Sequence, residues 1–197
     1  RSTPSNYRPV SLTSVCSKVL EHIIHSHIMR HMDTHRILSD AQHGFRKKRS
    51  TDSQLILSIQ DLAQTLDASG QVDCILLDLS KAFDKVPHKR LLLKAHHYGI
   101  DGRLHSWIAS FLRDRSQQVA LEGTTSAPAP VTSGVPQGTV LGPLLFLIFI
   151  NDMPTKVSST PRLFADDCLL YRQIRSDQDQ RLLQQDLDSL QKWEEDW

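Results

Sequence analysis

Cysteine is scarce in this sequence, and its three cysteines lie far apart. Cys16, Cys74 and Cys168 form no C-x-x-C pair, which argues against a disulfide framework and against a structural zinc site. This usage is typical of a reducing compartment, so we expect the protein in the nucleus and the cytoplasm. Residues 1–10 are polar and contain proline, unlike a secretory signal peptide, and we expect that the protein is not secreted.

The sequence also lacks a long hydrophobic run. Its most apolar stretch, residues 140–150, is 11 residues long and contains Gly142 and Pro143, whereas a membrane-spanning helix needs about 20 apolar residues. The stretch therefore predicts a buried helix, and we expect no membrane partner.

A strong positive charge is missing as well. The chain has 23 basic and 22 acidic residues, for a formal net charge of +1, whereas free-standing nucleic-acid-binding domains are often strongly basic. Any contact with nucleic acid must therefore depend on local groups of basic residues.

The apolar pattern that is present predicts an α+β fold. A hydrophobic fraction of 39% and a charged fraction of 23% are globular values and argue against wholesale disorder. Strands and helices alternate without the regularity of βαβ units. Helical spacing of apolar residues predicts helices over residues 15–33, 51–66, 87–93, 104–112, 143–150 and 178–197. Thr51 or Asp52 is predicted to cap the second of these helices. Strands are predicted within residues 73–79, 117–121, 130–132 and 162–172, the first as a buried strand and the last as strand, turn and strand.

The ends of the sequence carry an expectation of their own. The chain begins without Met, and it ends at Trp197 inside a helical pattern that has no C-cap glycine. A natural domain seldom stops within a helix, so we expect both ends to be truncations.

Three aspartates stand in apolar surroundings. Asp78 ends an apolar segment, and Asp166 and Asp167 lie between apolar residues on both sides. Charges in such places are costly unless they are paired or bind a metal ion, and Mg²⁺ prefers carboxylate oxygens. Two such ions roughly 3.5–4 Å apart can activate a hydroxyl and stabilise a leaving oxygen. The alternative is that residues 166–167 form an exposed turn, but the context of all three acids favours metal binding.

Five motifs follow one another along almost the whole chain. They are residues 6–12 (NYRPVSL), 42–46 (QHGFR), 78–84 (DLSKAFD), 133–143 (SGVPQGTVLGP) and 164–167 (FADD). In sequence and in order they resemble the motifs of reverse transcriptases of non-LTR retrotransposons, and among these jockey-like elements are the most similar. The most specific of the five is the eleven-residue loop.

This resemblance implies a polymerase right-hand fold that comprises the fingers and palm only, with an antiparallel palm sheet and packed helices. The fingers would comprise approximately residues 1–70 and 88–139, and the palm residues 71–87 and 140–197. The thumb and the endonuclease domain found in such elements would be absent.

The resemblance also assigns roles to the acids. Asp78 and Asp166 are similar to the pair that holds both catalytic Mg²⁺ ions, and Mn²⁺ could replace Mg²⁺. The carbonyl of Leu79 would be a further metal ligand. Asp167 belongs to the catalytic motif and would mainly shape the local charge.

Four other residues resemble the nucleotide-binding residues of the family. Arg8 is similar to the fingers arginine that pairs with the triphosphate, as suits a bidentate guanidinium. Phe83 resembles the steric gate that excludes a 2′-hydroxyl, with an ordinary core phenylalanine as the alternative. Gln137 and Gly138 resemble the contacts to the incoming nucleotide and the template, and a helix-initiating turn is a compatible alternative.

Two further features lie outside these role assignments. The basic run of residues 46–49 could contact phosphates, and a solvated loop explains it equally well. Asp84 is interpreted as structural, as a cap for the helix that follows.

The resemblance therefore predicts an RNA-directed DNA polymerase. Its partners would be an RNA template, a DNA primer and a dNTP, and the primer 3′-hydroxyl would attack the α-phosphate. The alternatives are an inactive remnant and a repurposed RNA-binding module with the same fold. Primer extension that depends on Asp166 would separate the enzyme from both.

Overall fold

The computed structural model describes residues 8–197, so Asn6 and Tyr7 of the first motif lie outside the described residues. Helices and small antiparallel sheets make up the structure, which confirms the predicted α+β class. The helices are α1 (Val15–Thr34), α2 (Thr51–Asp67), α3 (Ala82–Lys85), α4 (His88–His97), α5 (Gly102–Leu112), α6 (Leu141–Ile150) and α7 (Asp177–Asp196), with a 3₁₀ helix at Met153–Lys156. The strands are β1 (Gln71–Asp78), β2 (Ser116–Gln117), β3 (Ala120–Leu121), β4 (Thr124–Thr125), β5 (Ala129–Pro130), β6 (Thr160–Phe164) and β7 (Asp167–Ile174).

The chain divides into two compact units. The first unit consists of Arg1–His35 with Lys81–Phe149, and the second unit of Arg36–Ser80 with Ile150–Trp197. The boundaries of fingers and palm given by the resemblance stay a prediction.

A three-stranded antiparallel sheet forms the centre of the second unit. Its order is β1-β7-β6, and residues 165–166 close the hairpin of β6 and β7. The sequence predicts a buried strand at β1, and this is wrong for one face: Cys74, Leu76 and Asp78 are exposed, Leu76 to 83%. Successive side chains of a strand point to opposite faces, so only the intervening residues of β1 are shielded.

Helix α2 is capped by a residue that the sequence pattern does not single out. Ser50 is the N-cap, and it forms a capping box in which its side chain accepts from the Ser53 N–H while the Ser53 hydroxyl accepts from the Ser50 N–H. The prediction of Thr51 or Asp52 as the cap is therefore wrong. An N-cap needs an extended backbone, which Ser50 has and the helical Thr51 does not.

Helix α7 packs against β7 and fixes the approach to β6. Leu183 and Trp193 are buried. The Asp186 carboxylate, also buried, accepts from the N–H groups of Ser158 at 2.8 Å and Ser159 at 2.7 Å. The segment that leads into β6 is thereby held by α7.

Helix α6 is the buried element of the first unit. The predicted burial is confirmed, since Leu144 and Phe146 are each 1% exposed. Glu21 of α1 is also buried, and its Oε2 accepts from the N–H groups of Val140 at 2.8 Å and Leu141 at 3.1 Å. Glu21 therefore satisfies N–H groups at the start of α6 that the helix itself leaves unpaired. Over residues 8–197, every helix is too short or too polar to span a membrane.

Candidate active site

Asp166 and Asp167 lie at the tight turn of the β6–β7 hairpin. Phe164 is paired with Asp167, so Ala165 and Asp166 alone form the turn. Ala165 has a φ of 56°, in the left-handed region that residues other than glycine seldom adopt. The predicted strand, turn and strand around these acids is confirmed.

Asp78 meets Asp167 across the sheet. The two residues are direct partners in the antiparallel register of β1 and β7, and directly opposed side chains point to the same face with Cβ atoms about 4.5–5.5 Å apart. Asp166 adjoins Asp167 in the turn. Residues separated by almost 90 positions in the sequence therefore share one end of the sheet, and Leu79 follows β1 directly at the same end.

The acids are less buried than their apolar surroundings predict. Asp78 and Asp167 are exposed, and Asp166 is half-buried. This corrects the expectation of a large desolvation cost, because strand alternation turns Asp78 and Asp167 away from the apolar face and Asp166 lies in the turn. Like charges that face each other across a sheet nevertheless destabilise it.

In the part of the chain that the structure describes, basic side chains do not pair with these acids. Within residues 8–197, none of Asp78, Asp166 and Asp167 has an ion pair or a side-chain hydrogen bond. In the same part of the chain, no three His, Cys, Asp or Glu side chains are grouped closely enough to hold a metal ion. The chemistry of the donors fits a hard divalent cation, since carboxylate oxygens are the ligands that Mg²⁺ prefers.

Arg162 of β6 is engaged elsewhere. Its guanidinium donates to the Asp61 carboxylate of α2, and the Tyr171 hydroxyl donates to the same carboxylate. Burial alone would raise the pKa of Asp61, but these two hydrogen bonds and the charge of Arg162 lower it below its ordinary value. Burial, together with the bond to Asp61, raises the pKa of Tyr171 to about 12. The network ties α2 to the hairpin that carries the acids.

Gln42 holds the turn itself, a contact that the sequence gives no sign of. Its Nε2 donates to the carbonyl of Ala165 at 3.0 Å, and its Oε1 accepts from the N–H of Ala165 at 2.9 Å. The same Oε1 accepts from the N–H of Gly44 at 2.7 Å. The motif of residues 42–46 is visible in the sequence, but its partner lies 123 residues away.

Gly44 is required by the same contact. A Cβ atom at this position would lie 2.2 Å from the backbone nitrogen of Ala165, far inside van der Waals contact. The absence of a side chain lets residues 42–44 lie directly against the turn.

The basic run of residues 46–49 partly stabilises the loop in which it lies. Arg46 donates to the carbonyl of Ser39 at 2.6 Å, and Arg49 donates to the carbonyl of Asp40 at 2.6 Å and to its carboxylate. Both arginines are half-buried, so the interpretation as a solvated loop does not describe them, and the contact with phosphates stays a prediction. Residues 47–48 are exposed.

The predicted nucleotide-binding residues lie in the first unit. Phe83 is half-buried and stacks on Phe146, with ring centroids 4.1 Å apart. The main-chain carbonyl of Gln137 accepts a hydrogen bond from the N–H of Ser11 at 2.7 Å. Ser11 lies three residues after Arg8, which is exposed. Gly138 has a φ of 85°, and a Cβ there would lie 2.7 Å from the carbonyl oxygen of Ser11. The first motif and the glycine-rich loop are therefore in contact.

Asp84 does not cap the helix that follows. Pro87 is the N-cap of α4, and Asp84 lies inside the short helix α3. Its carboxylate instead accepts from Gln137 Nε2 at 2.8 Å, and its carbonyl accepts from the Ser133 hydroxyl at 3.0 Å. The interpretation as a cap is wrong, and Asp84 is a bridge to the glycine-rich loop.

Known proteins resemble the chain over its full length. Residues 1–197 match the family model described as reverse transcriptase (RNA-dependent DNA polymerase). The chain is 34% identical to the probable RNA-directed DNA polymerase from transposon BS of Drosophila melanogaster, with 99% of the chain and 22% of that relative covered. It is 32% identical to the RNA-directed DNA polymerase from mobile element jockey of the same species, with 98% of the chain and 22% of that relative covered.

A third relative comes from another mobile element. The chain is 35% identical to the probable RNA-directed DNA polymerase from transposon X-element of Drosophila melanogaster, with 86% of the chain and 19% of that relative covered. The chain thus spans about a fifth of the length of these relatives. The resemblance found in the motifs is confirmed at the level of the family.

Proposed function

Since this chain belongs to the reverse transcriptase family, we propose that it forms the fingers and palm of an RNA-directed DNA polymerase with a right-hand fold. The observation that carries the proposal is the register of the sheet, which sets Asp78 opposite Asp167 with Asp166 in the adjoining turn. The substrates would be an RNA template, a DNA primer and a dNTP.

Asp78 and Asp166 would hold two Mg²⁺ ions, with the carbonyl of Leu79 as a further ligand. Divalent ions bound there would supply activation of the primer 3′-hydroxyl and stabilisation of the leaving pyrophosphate. Asp167 would add negative charge that keeps cations at the end of the sheet. The proposal is supported by the absence of ion-pair partners for these acids among residues 8–197.

The first unit would hold the nucleotide. Arg8 is exposed, and it lies three residues before Ser11, which contacts the glycine-rich loop. Its guanidinium would pair with the triphosphate. Gln137 and Gly138 would contact the incoming nucleotide and the template. Phe83 would pack under the deoxyribose and exclude a 2′-hydroxyl, and its stacking on the buried Phe146 would keep its ring in place.

Primer extension with this chain tests the proposal. We expect Mg²⁺-dependent incorporation of dTTP on poly(rA)/oligo(dT), and its loss in Asp166→Ala. Asp188→Ala is the matched control, since Asp188 is an exposed aspartate on α7 and should retain activity.

Two other outcomes identify the alternatives. Failure of incorporation at any protein concentration would favour an inactive remnant. If the chain also binds template–primer with an affinity that neither Mg²⁺ nor the replacement of Asp78 and Asp166 alters, an RNA-binding module is the better description.

A further inference from the structure

We propose that Gln42 is a positioning residue for Asp166. Its carboxamide holds the main chain of Ala165, the residue immediately before Asp166, and so determines where the Asp166 carboxylate stands. The inference rests on the proposed role of Asp166 in binding metal ions, and its test separates the two.

The carboxamide of Gln42 uses both of its ends on this turn. Nε2 donates to the carbonyl of Ala165, while Oε1 accepts from the N–H groups of Ala165 and Gly44, all within 2.7–3.0 Å. Gln42 is only 3% exposed, so water cannot readily replace it. Polar groups buried without a partner are costly, and the turn therefore depends on this one side chain.

The backbone around Gln42 fixes the register of the contact. The N–H of His43 donates to the carbonyl of Leu163, and the N–H of Leu163 donates to the carbonyl of Ala41, both at 2.9 Å. These bonds form a parallel bridge between Gln42 and Leu163 of β6. Gln42 is thus attached to the strand that leads into the turn, and its side chain reaches the end of that strand.

The turn needs such support because of its conformation. Ala165 has a φ of 56°, and a residue with a Cβ stays in the left-handed region only where its surroundings hold it there. The Gln42 carboxamide forms hydrogen bonds with both the N–H and the carbonyl of Ala165. Without it, we expect the turn to relax, which would displace Asp166. Catalytic groups tolerate a displacement of only about 0.5 Å.

Gln42→Met removes every hydrogen bond of the carboxamide and leaves the volume nearly unchanged. Gln54→Met is the matched control, since Gln54 is also buried in the second unit and neither polar atom of its carboxamide has a hydrogen-bond partner among residues 8–197. The first measurement does not involve metal: amide hydrogen exchange at Ala165 and the ¹³C signal of the Asp166 carboxyl, both by NMR. We expect exchange at Ala165 at least tenfold faster and a shifted Asp166 signal in Gln42→Met, with neither change in Gln54→Met.

The second measurement is a Mn²⁺ titration followed by electron paramagnetic resonance. We expect at least fivefold weaker Mn²⁺ binding in Gln42→Met, the wild-type affinity in Gln54→Met, and a loss of binding in Asp166→Asn. If Asp166→Asn does not weaken binding, the proposed metal role of Asp166 fails, and the positioning role is then decided by the Asp166 signal alone.

The remaining outcomes decide the positioning role directly. An unchanged Asp166 signal in Gln42→Met overturns it. So does a Mn²⁺ affinity that Asp166→Asn lowers and Gln42→Met does not, because Gln42 would then serve stability alone. Should Gln42→Met fail to fold, Gln42→Glu retains the accepting oxygen but loses the donor to the Ala165 carbonyl. That variant should keep slow exchange at Ala165 and still shift the Asp166 signal, and an unshifted signal would overturn the proposal.

Discussion

The Asp84 carboxylate accepts a hydrogen bond from the side chain of Gln137, with Asp84 Oδ1 2.8 Å from Gln137 Nε2. The carbonyl of Asp84 also accepts from the hydroxyl of Ser133, so one residue holds two points of the glycine-rich loop. With Nε2 engaged, the orientation of the Gln137 carboxamide is set. A residue predicted to bind the nucleotide thus has its side chain positioned by a carboxylate outside that loop.

Asp84→Ala should weaken nucleotide binding more than catalysis. A hydrogen bond to a charged group contributes about 1.5–3 kcal/mol, and its loss would let the Gln137 side chain rotate. We expect the KM for dTTP to rise by roughly tenfold with a smaller change in kcat, since the lost interaction serves binding. Steady-state primer extension measures both constants. Asp67→Ala, at an exposed aspartate ending α2, is the control, and equal KM values in the two variants would refute the prediction.

Local sequence patterns predict the elements of this fold well. The pattern of apolar residues predicts a helix at 15–33, and α1 spans Val15–Thr34. The predicted strand, turn and strand at 162–172 corresponds to β6 and β7. These features depend on residues a few positions apart, where periodicity and turn residues carry the information.

Contacts between distant segments could not be predicted in the same way. Gln42 meets Ala165 across 123 positions, and Glu21 meets Val140 across 119. Each is a polar side chain that pairs with a backbone N–H group. Almost every residue has such a group, so the sequence does not show which one a side chain will bind. The exposure of Leu76 was missed for a related reason, since an apolar run does not reveal which face of a strand is covered.

Glu21→Ala should destabilise the first unit strongly. Glu21 is 1% exposed, and its carboxylate accepts from two N–H groups at the start of α6, where the helix dipole also favours a negative charge. We expect the free energy of unfolding in urea to fall by about 3 kcal/mol. Glu21→Gln keeps an accepting oxygen and should lose less. Glu194→Ala, at an exposed position of α7, should change stability little; a loss in Glu21→Ala no larger than in this control would contradict the capping role.

Asp186 should make stability depend on pH in the acid range. Burial alone would raise the pKa of Asp186, but hydrogen bonds from Ser158 and Ser159 lower it below its ordinary value. A carboxyl whose pKa is lowered by folding stabilises the protein above its unfolded pKa of about 3.9, and this stabilisation is lost as the pH falls through the folded pKa.

Asp186→Asn should therefore cost about 2 kcal/mol at pH 7, and the difference from the wild type should shrink below about pH 4. Urea unfolding at pH 7, 5, 4 and 3 measures this dependence. Asp188→Asn, on an exposed part of the same helix, should show a small difference at every pH. A difference for Asp186→Asn that is constant from pH 7 to pH 3 would exclude the charge as its cause.

Asp167→Asn should stabilise the chain in the absence of divalent ions. Asp167 faces Asp78 across the sheet, and directly opposed like charges destabilise a sheet by about 0.2–1 kcal/mol. In a buffer with chelator and low salt, we expect the free energy of unfolding to rise by about 0.5 kcal/mol. The gain should disappear in 1 M NaCl, where the Debye length is about 3 Å. Asp73→Asn in β1, on the strand paired with β7, is the matched control, because Asp73 faces Arg172 and its neutralisation should not stabilise. Mn²⁺ should in turn raise the melting temperature of the wild type more than that of Asp167→Asn, since only the wild type has this repulsion for a cation to relieve. If Asp167→Asn is no more stable than Asp73→Asn at low salt, the two acids do not repel each other in the folded chain.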